Sequence, residues 1–127
     1  MSKCFFFSNK KQEQEFIFID SKSIYQYNFQ VGKTTILYNF VNKLSEQPEY
    51  VIFDENQESA IIASPNDVLW VNISTQEEED IDQLYSIGQI KALINVGKKF
   101  YILANKYQRK LGYFLLELDS EKPKVSN

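Results

Sequence analysis

Cations and aromatic rings alternate in the C-terminal half of the chain, and this is the pattern in the sequence that most strongly suggests chemistry. Between Asp82 and Glu117 there are six basic residues and no acidic one. Such a surface offers charges to a phosphate backbone and flat ring faces to unpaired bases. It predicts a single-stranded DNA contact at Lys98, Lys99, Tyr101, Lys106, Tyr107, Arg109 and Lys110. The alternative is a hairpin whose lysines keep an edge strand soluble.

The segment Gly32-Lys33-Thr34-Thr35 has the form of the end of a phosphate-binding P-loop. A P-loop also needs a glycine five residues before Gly32, but that position is Tyr27, and residues 28–31 contain no glycine. Without those glycines the backbone amides cannot cradle phosphates. The segment is therefore interpreted as the start of a β-strand.

The residue types that most enzymes and metal sites depend on are scarce. The chain has no histidine, which is the commonest general base and the commonest metal ligand. Cys4 stands in a phenylalanine-rich segment without a histidine partner. Its interpretation is a small buried hydrophobic residue, because a cysteine nucleophile needs an activating base. Neighbouring carboxylates such as Glu77 and Asp80 are interpreted as the solvated first turn of a helix. We expect no enzyme activity, no cofactor and no metal.

Acidic residues are concentrated in the middle of the chain, while the net charge of the whole is only −3. Between Lys43 and Lys91 there are eleven carboxylates and no basic residue. This segregation predicts one acidic and one basic surface on a single domain. Any DNA contact would then be local and weak.

The chain of 127 residues has the length of one domain. With a single cysteine it forms no intrachain disulfide, which favours an intracellular location. No apolar stretch approaches the ~20 residues that a membrane-spanning helix needs, so no membrane contact is expected. Together with a DNA contact, these features predict a nuclear protein.

The apolar pattern predicts an N-terminal arm over 1–15, one β-domain over 16–118 and a polar tail over 119–127. β-Branched and aromatic residues recur in short segments that are separated by polar turns, which is typical of strands. Ser74-Thr75-Gln76-Glu77 has the form of a capping box and predicts a helix over 75–84. Residues 111–118 fit either a strand or a helix.

The order of these segments favours one particular barrel. A single helix separates the third from the fourth of five strands, at 34–44, 50–54, 59–71, 85–95 and 99–108. This is the element order of the OB-fold, a small Greek-key barrel that binds single strands or proteins. The predicted fold is all-β with one short helix, namely a five-stranded antiparallel OB-fold barrel.

Residues 34–110 resemble the small OB-fold subunits of the telomeric CST complex and of RPA. The resemblance rests on the strand end Tyr50-Val51-Ile52-Phe53-Asp54, the Ile61-Ile62-Ala63 strand, the acidic helix and the segment 84–90, in which Gly88 precedes Ile90. It implies a structural subunit that packs on a larger OB-fold partner, in telomere maintenance or replication. The residue usage suits a ciliate source, where such a subunit would be telomerase-associated.

Adjacent large apolar side chains at both ends of the chain predict a hetero-oligomer. A monomer seldom exposes such groups in its terminal segments. We therefore expect partner contacts at Phe5, Phe6, Phe7, Tyr113, Phe114 and Leu116. The alternative function is an all-β interaction scaffold within a large assembly, such as part of a β-propeller.

Overall fold

In a computed structural model, the described residues (4–40, 43–82, 87–106, 112–121 and 123) form eleven strands in three antiparallel sheets. The predicted all-β class is confirmed. The first sheet contains β1 (Phe5–Ser8), β2 (Glu15–Ile19), β3 (Ser23–Asn28) and β4 (Lys33–Asn39). The middle sheet contains β5 (Tyr50–Phe53), β6 (Ser59–Ala63), β7 (Val68–Asn72) and β8 (Glu78–Asp80). The third sheet contains β9 (Ile87–Val96), β10 (Lys99–Lys106) and β11 (Phe114–Asp119).

Each sheet is a meander in which strands pair only with their neighbours in sequence. The turns follow from local residue types. Between β2 and β3, the Asp20 carboxylate accepts hydrogen bonds from the backbone amides of Lys22 and Ser23 at 2.8 and 3.0 Å. Between β9 and β10, Gly97 has a φ of 59°, a conformation that glycine adopts without a steric penalty. Such short turns keep the chain within one sheet before it passes to the next.

The middle sheet is apolar on both of its faces, so it is covered on both. Ile61 and Trp70 lie on one face and are fully buried in a cluster that includes Phe100 and Ile102 of the third sheet. Residues on the other face belong to a second buried cluster with the first sheet: Ile62, Leu69 and Val71 of the middle sheet, and Ile17, Ile19 and Ile24 of the first sheet. The three sheets are therefore stacked in sequence order.

Polar groups also join the layers. The Gln57 side chain accepts a hydrogen bond from the backbone amide of Lys10 at 2.9 Å and donates one to the Ser8 carbonyl at 2.8 Å. Gln57 is buried in the β5–β6 turn with a φ of 56°. On the other side of the stack, the Trp70 indole nitrogen donates to the Ser120 carbonyl at 3.2 Å. Each outer sheet is thus hydrogen-bonded to the middle one.

Gly88, in β9, packs tightly against the backbone of β10. A Cβ atom at this position would lie 2.9 Å from the Lys106 carbonyl oxygen and 3.1 Å from that of Asn105. The register between β9 and β10 shifts on both sides of Ala104, in the same region. A glycine is needed here because the two strands approach too closely for any side chain.

The five-stranded barrel is not observed, since the described residues contain no closed barrel. The strands assigned to it are distributed over all three sheets: β4 belongs to the first, β5 to β7 to the middle, and β9 and β10 to the third. A Greek key also needs pairing between strands distant in sequence, and the described sheets pair neighbours alone. Part of the segment predicted as an arm, 1–15, is β1, which pairs with β2.

The predicted helix over 75–84 is replaced by a turn and a strand over 75–80. Gln76 has a φ of 64°, which is incompatible with a right-handed helix. Its side chain donates to the carbonyls of Leu37 and Ile73 at 3.0 and 2.6 Å. Residues 78–80 then form β8 on β7. Ile81 and Asp82 have helical backbone, and residues 83–86 lie outside the described part of the chain. The ambiguous segment 111–118 contains strand β11.

We predict that substitutions on the two faces of the middle sheet destabilise the whole stack. Trp70→Ala should lower the free energy of unfolding by about 3–5 kcal/mol, and Leu69→Ala by about 2–5 kcal/mol, because each opens a cavity in one cluster. Urea unfolding followed by far-ultraviolet circular dichroism should show a single transition in both variants. The exposed Leu115→Ala should stay within about 0.5 kcal/mol of wild type. Wild-type stability in Trp70→Ala would contradict the observed burial.

Candidate interaction surfaces

The outer face of the first sheet, turned away from the middle sheet, is aromatic. Cross-strand pairing places Phe6 opposite Phe18, Phe18 opposite Tyr25, and Phe16 opposite Tyr27. Tyr25 in turn pairs with Ile36 of β4. We call these residues the aromatic face: Phe6, Phe16, Phe18, Tyr25, Tyr27 and Ile36. Phe6 and Ile36 are 67% and 57% exposed.

The rings of the aromatic face touch one another in a continuous row. Phe18 stacks on Tyr25 with ring centroids 4.7 Å apart, and Phe16 lies 5.3 Å from Tyr27. Phe6 contacts both phenylalanines of β2, with centroids 5.8 and 6.2 Å away. Pairs of this kind contribute ~0.5–1.5 kcal/mol each beyond area burial. The rings of this face therefore hold one another in place.

The outer face of the third sheet is also largely apolar, with three charged residues near the β9–β10 turn. Tyr101 lies opposite Ile94 and Glu117, and Leu103 lies opposite Ala92 and Leu115. On the same side, Lys99 lies opposite Val96 and Asp119. We call these residues the third-sheet face: Ala92, Ile94, Val96, Lys99, Tyr101, Leu103, Leu115, Glu117 and Asp119. Ile94, Val96 and Leu115 are more than half exposed.

The predicted partner residues divide between the two sides of their sheets. Phe6 and Tyr113 are exposed, as a direct contact requires. Phe5 and Phe7 instead pack against the cluster between the first and middle sheets, where Phe7 meets Phe53 edge-on at 5.0 Å. Likewise, Phe114 and Leu116 pack against the cluster below the third sheet. The strand alternation turns these four side chains inward, and it exposes a residue that the sequence analysis missed, Leu115.

The predicted DNA-binding residues are brought together only in part. Lys98 lies in the β9–β10 turn, and Lys106 is exposed at the end of β10. Lys99 forms an ion pair with Glu117 at 3.0 Å, and the Tyr101 hydroxyl donates to the same carboxylate at 3.3 Å. The hydrogen bond to Glu117 raises the pKa of Lys99 and lowers that of Glu117. Tyr107, Arg109 and Lys110 lie outside the described residues. The DNA contact stays a prediction.

The other candidate features are structural. Gly32 lies in the turn before β4, with a φ of 69°, and Lys33 begins that strand as expected. Cys4 is an exposed free thiol, so the prediction that it is buried is wrong. Within the described residues, no group of carboxylates and cysteine has the arrangement of a metal site. The same residues contain no helix long and apolar enough to cross a membrane.

The acidic stretch lies on the middle sheet and its loops, and its carboxylates have contrasting environments. Glu78, on β8, accepts hydrogen bonds from the Tyr38 hydroxyl and from Lys43, the latter at 2.8 Å. Burial alone would raise the pKa of Glu78, but these two hydrogen bonds outweigh it and the pKa is lowered. The pKa of Asp80, on the same strand, is raised by burial and by the charges of Asp82, Glu78 and Asp67. Glu78 thus links the middle sheet to Tyr38 of the first sheet, whereas Asp80 is repelled by the carboxylates around it.

We predict opposite effects of neutralising these two carboxylates. Because its pKa is raised in the folded state, Asp80 stabilises the fold at pH values below its unfolded-state pKa of ~3.9. This stabilisation is lost as the pH rises through the folded-state pKa. Asp80→Asn should therefore stabilise the protein at neutral pH, by at most about 0.5 kcal/mol because the site is largely solvated. Added salt should reduce that gain.

Glu78→Gln is the matched variant with the opposite sign. Because the pKa of Glu78 is lowered in the folded state, this carboxylate stabilises the fold at pH values above its unfolded-state pKa of ~4.3. That stabilisation is lost as the pH falls through the folded-state pKa. The variant should be less stable than wild type at neutral pH and equal to it in acid. Chemical unfolding at several pH values checks both variants. The same sign of effect for Asp80→Asn and Glu78→Gln would refute this account of β8.

Comparison with known proteins adds no family to this description. No protein-family model matches the chain, and no curated protein shows significant sequence similarity to it. The features that bear on function are therefore the stacked sheets and their two largely apolar outer faces.

Proposed function

We propose that this protein is an interaction scaffold that binds other protein surfaces through the outer faces of its first and third sheets. The observation that carries the proposal is that both ends of the stack are apolar. The middle sheet has two apolar faces and both are covered, whereas the aromatic face and the third-sheet face are uncovered within the described residues. Exposed apolar patches of this kind mark protein interaction sites.

The architecture favours a propeller-like scaffold over an OB-fold subunit. Propeller blades are four-stranded antiparallel meanders that stack face to face, with a period of about 40–50 residues. Here the three meanders begin at Phe5, Tyr50 and Ile87. A closed propeller has about four to eight blades, so a ring would need sheets in addition to the three described. The resemblance to small OB-fold subunits depends on a barrel that the described residues do not form.

Single-stranded DNA binding is the second candidate, and the described contacts support it less. The ion pair with Glu117 already satisfies Lys99, and Tyr101 shares that carboxylate. A phosphate would have to compete with an acidic group at the centre of the proposed contact. Among the described residues of the third sheet, the exposed Lys91, Lys98 and Lys106 leave a small cationic surface. An assembly subunit with a weak, local DNA contact is still compatible with this arrangement.

We predict that photocrosslinking from either outer face reaches protein in cells of the natural host. A photoreactive phenylalanine analogue is placed at Ile36, on the aromatic face, or at Leu115, on the third-sheet face. The matched control is Val31, which is 72% exposed but lies in the β3–β4 turn. Both face positions should give discrete protein adducts, and Val31 should give few. Ile36→Lys or Leu115→Lys should weaken capture of the crosslinked protein about tenfold, a loss of ~1.4 kcal/mol.

Two results would contradict the scaffold. One is equal, diffuse crosslinking from all three positions, which would mean that the faces are no more occupied than a turn. The other is adducts to nucleic acid in place of protein at Leu115, which would favour the DNA-binding function.

A further inference from the structure

The two outer faces differ in charge in a way that restricts what can cover them. The strand register places Phe6, Ser8, Phe16, Phe18, Tyr25, Tyr27, Thr34 and Ile36 on the outer face of the first sheet, and none of them is charged. The charge in contact with this face is the Asp20 carboxylate, which accepts a hydrogen bond from the Tyr25 hydroxyl at 3.1 Å. Over the remaining surface, a strongly charged partner gains nothing and would lose hydration of its own charges. The partner surface that fits is apolar and close to neutral.

Most of the third-sheet face has that chemistry. Its apolar part contains Ile94, Tyr101 and Leu103, flanked by Ala92 and Leu115. Its charged residues lie near the β9–β10 turn, where Lys99 forms an ion pair with Glu117 at 3.0 Å and Asp119 lies opposite Lys99. Packing the apolar part against the aromatic face would bury apolar groups from both sides and would leave these charged residues at one end of the contact. The two uncovered faces of one chain are thus compatible with each other.

The internal interfaces show how such a contact would be built. Along the chain, each sheet packs one face on the sheet that follows it, first on middle and middle on third. A first sheet placed on the third sheet of another molecule continues the same stacking order. Packing two aromatic faces on each other would leave both third-sheet faces uncovered. Head-to-tail packing that closes after two molecules covers all four faces, because each aromatic face then lies on the third-sheet face of the other molecule.

We propose, resting on the scaffold function above, that the aromatic face binds the third-sheet face of a second copy of this chain. Two copies supply six stacked sheets, within the range of about four to eight at which propellers close. A head-to-tail contact that closes after two copies contains the same interface twice. Ile36 and Phe6 on one copy then lie against Ile94 and Leu115 of the other.

The test uses the purified full-length chain, two face variants and their mixture, in analytical ultracentrifugation. Wild type should sediment at twice the monomer mass of 14.9 kDa. Ile36→Lys blocks the aromatic face and Ile94→Lys blocks the third-sheet face, and each alone should raise the dimer dissociation constant at least about tenfold. An equimolar mixture should associate more tightly than either variant alone, because a mixed dimer keeps one of its two interfaces intact. Val31→Lys is the control and should behave as wild type.

Both face residues are more than half exposed, so the substitutions leave the core clusters intact. If either lysine variant fails to fold by circular dichroism, Ile36→Thr and Ile94→Thr provide the same test with a smaller change. The inference is overturned if wild type is monomeric at all concentrations, if one face variant still dimerises like wild type, or if the mixture stays monomeric. A monomer whose faces still crosslink to other proteins in cells would overturn the second-copy contact alone. A monomer without such crosslinks would overturn the scaffold function as well.

Discussion

The middle sheet has no polar face, and the rest of the structure depends on that constraint. Along β6 and β7, residues pointing to either side are equally apolar, so neither side can face water without a large cost. Covering one side requires the first sheet, and covering the other requires the third. The layers are therefore not three independent units, because both outer sheets are fixed by one central sheet. Trp70 and Leu69, adjacent in sequence, belong to different hydrophobic clusters.

Most strands could be predicted from the sequence, because β-branched and aromatic runs between polar turns specify strands locally. Their assembly could not, because the order of segments does not say which strands share a sheet. A signal was available in Ser59–Ala63 and Val68–Val71, which are apolar at every or nearly every position. Strands with one solvated face alternate, whereas continuous apolar runs are typical of strands buried on both faces. A small barrel has one interior, so two such runs favoured a layered arrangement.

The helix prediction failed for a tertiary reason. The capping-box residues form a tight turn. The Asn72 side chain accepts a hydrogen bond from the Thr75 amide at 3.0 Å, and the Gln76 side chain donates to the carbonyls of Leu37 and Ile73. β7 then gains a ladder partner in β8, which outweighs the helix preference of three acidic residues. The predicted partner residues lie on strands β1 and β11 or beside them, but runs such as Phe5-Phe6-Phe7 do not show which side chain faces out. The aromatic face itself was visible as rings two residues apart, at Phe16 and Phe18 and at Tyr25 and Tyr27.

The three acidic residues of β8 have a consequence for aggregation. β8 ends the middle sheet, and an edge strand offers unpaired backbone groups to any other strand that approaches. Glu78, Glu79 and Asp80 would face the same charges on a second molecule in such an approach, so addition of strands edge to edge is repelled. Burial and the surrounding carboxylates raise the pKa of Asp80 within the fold, and the same negative charges disfavour sideways growth of the sheet into an extended cross-β array.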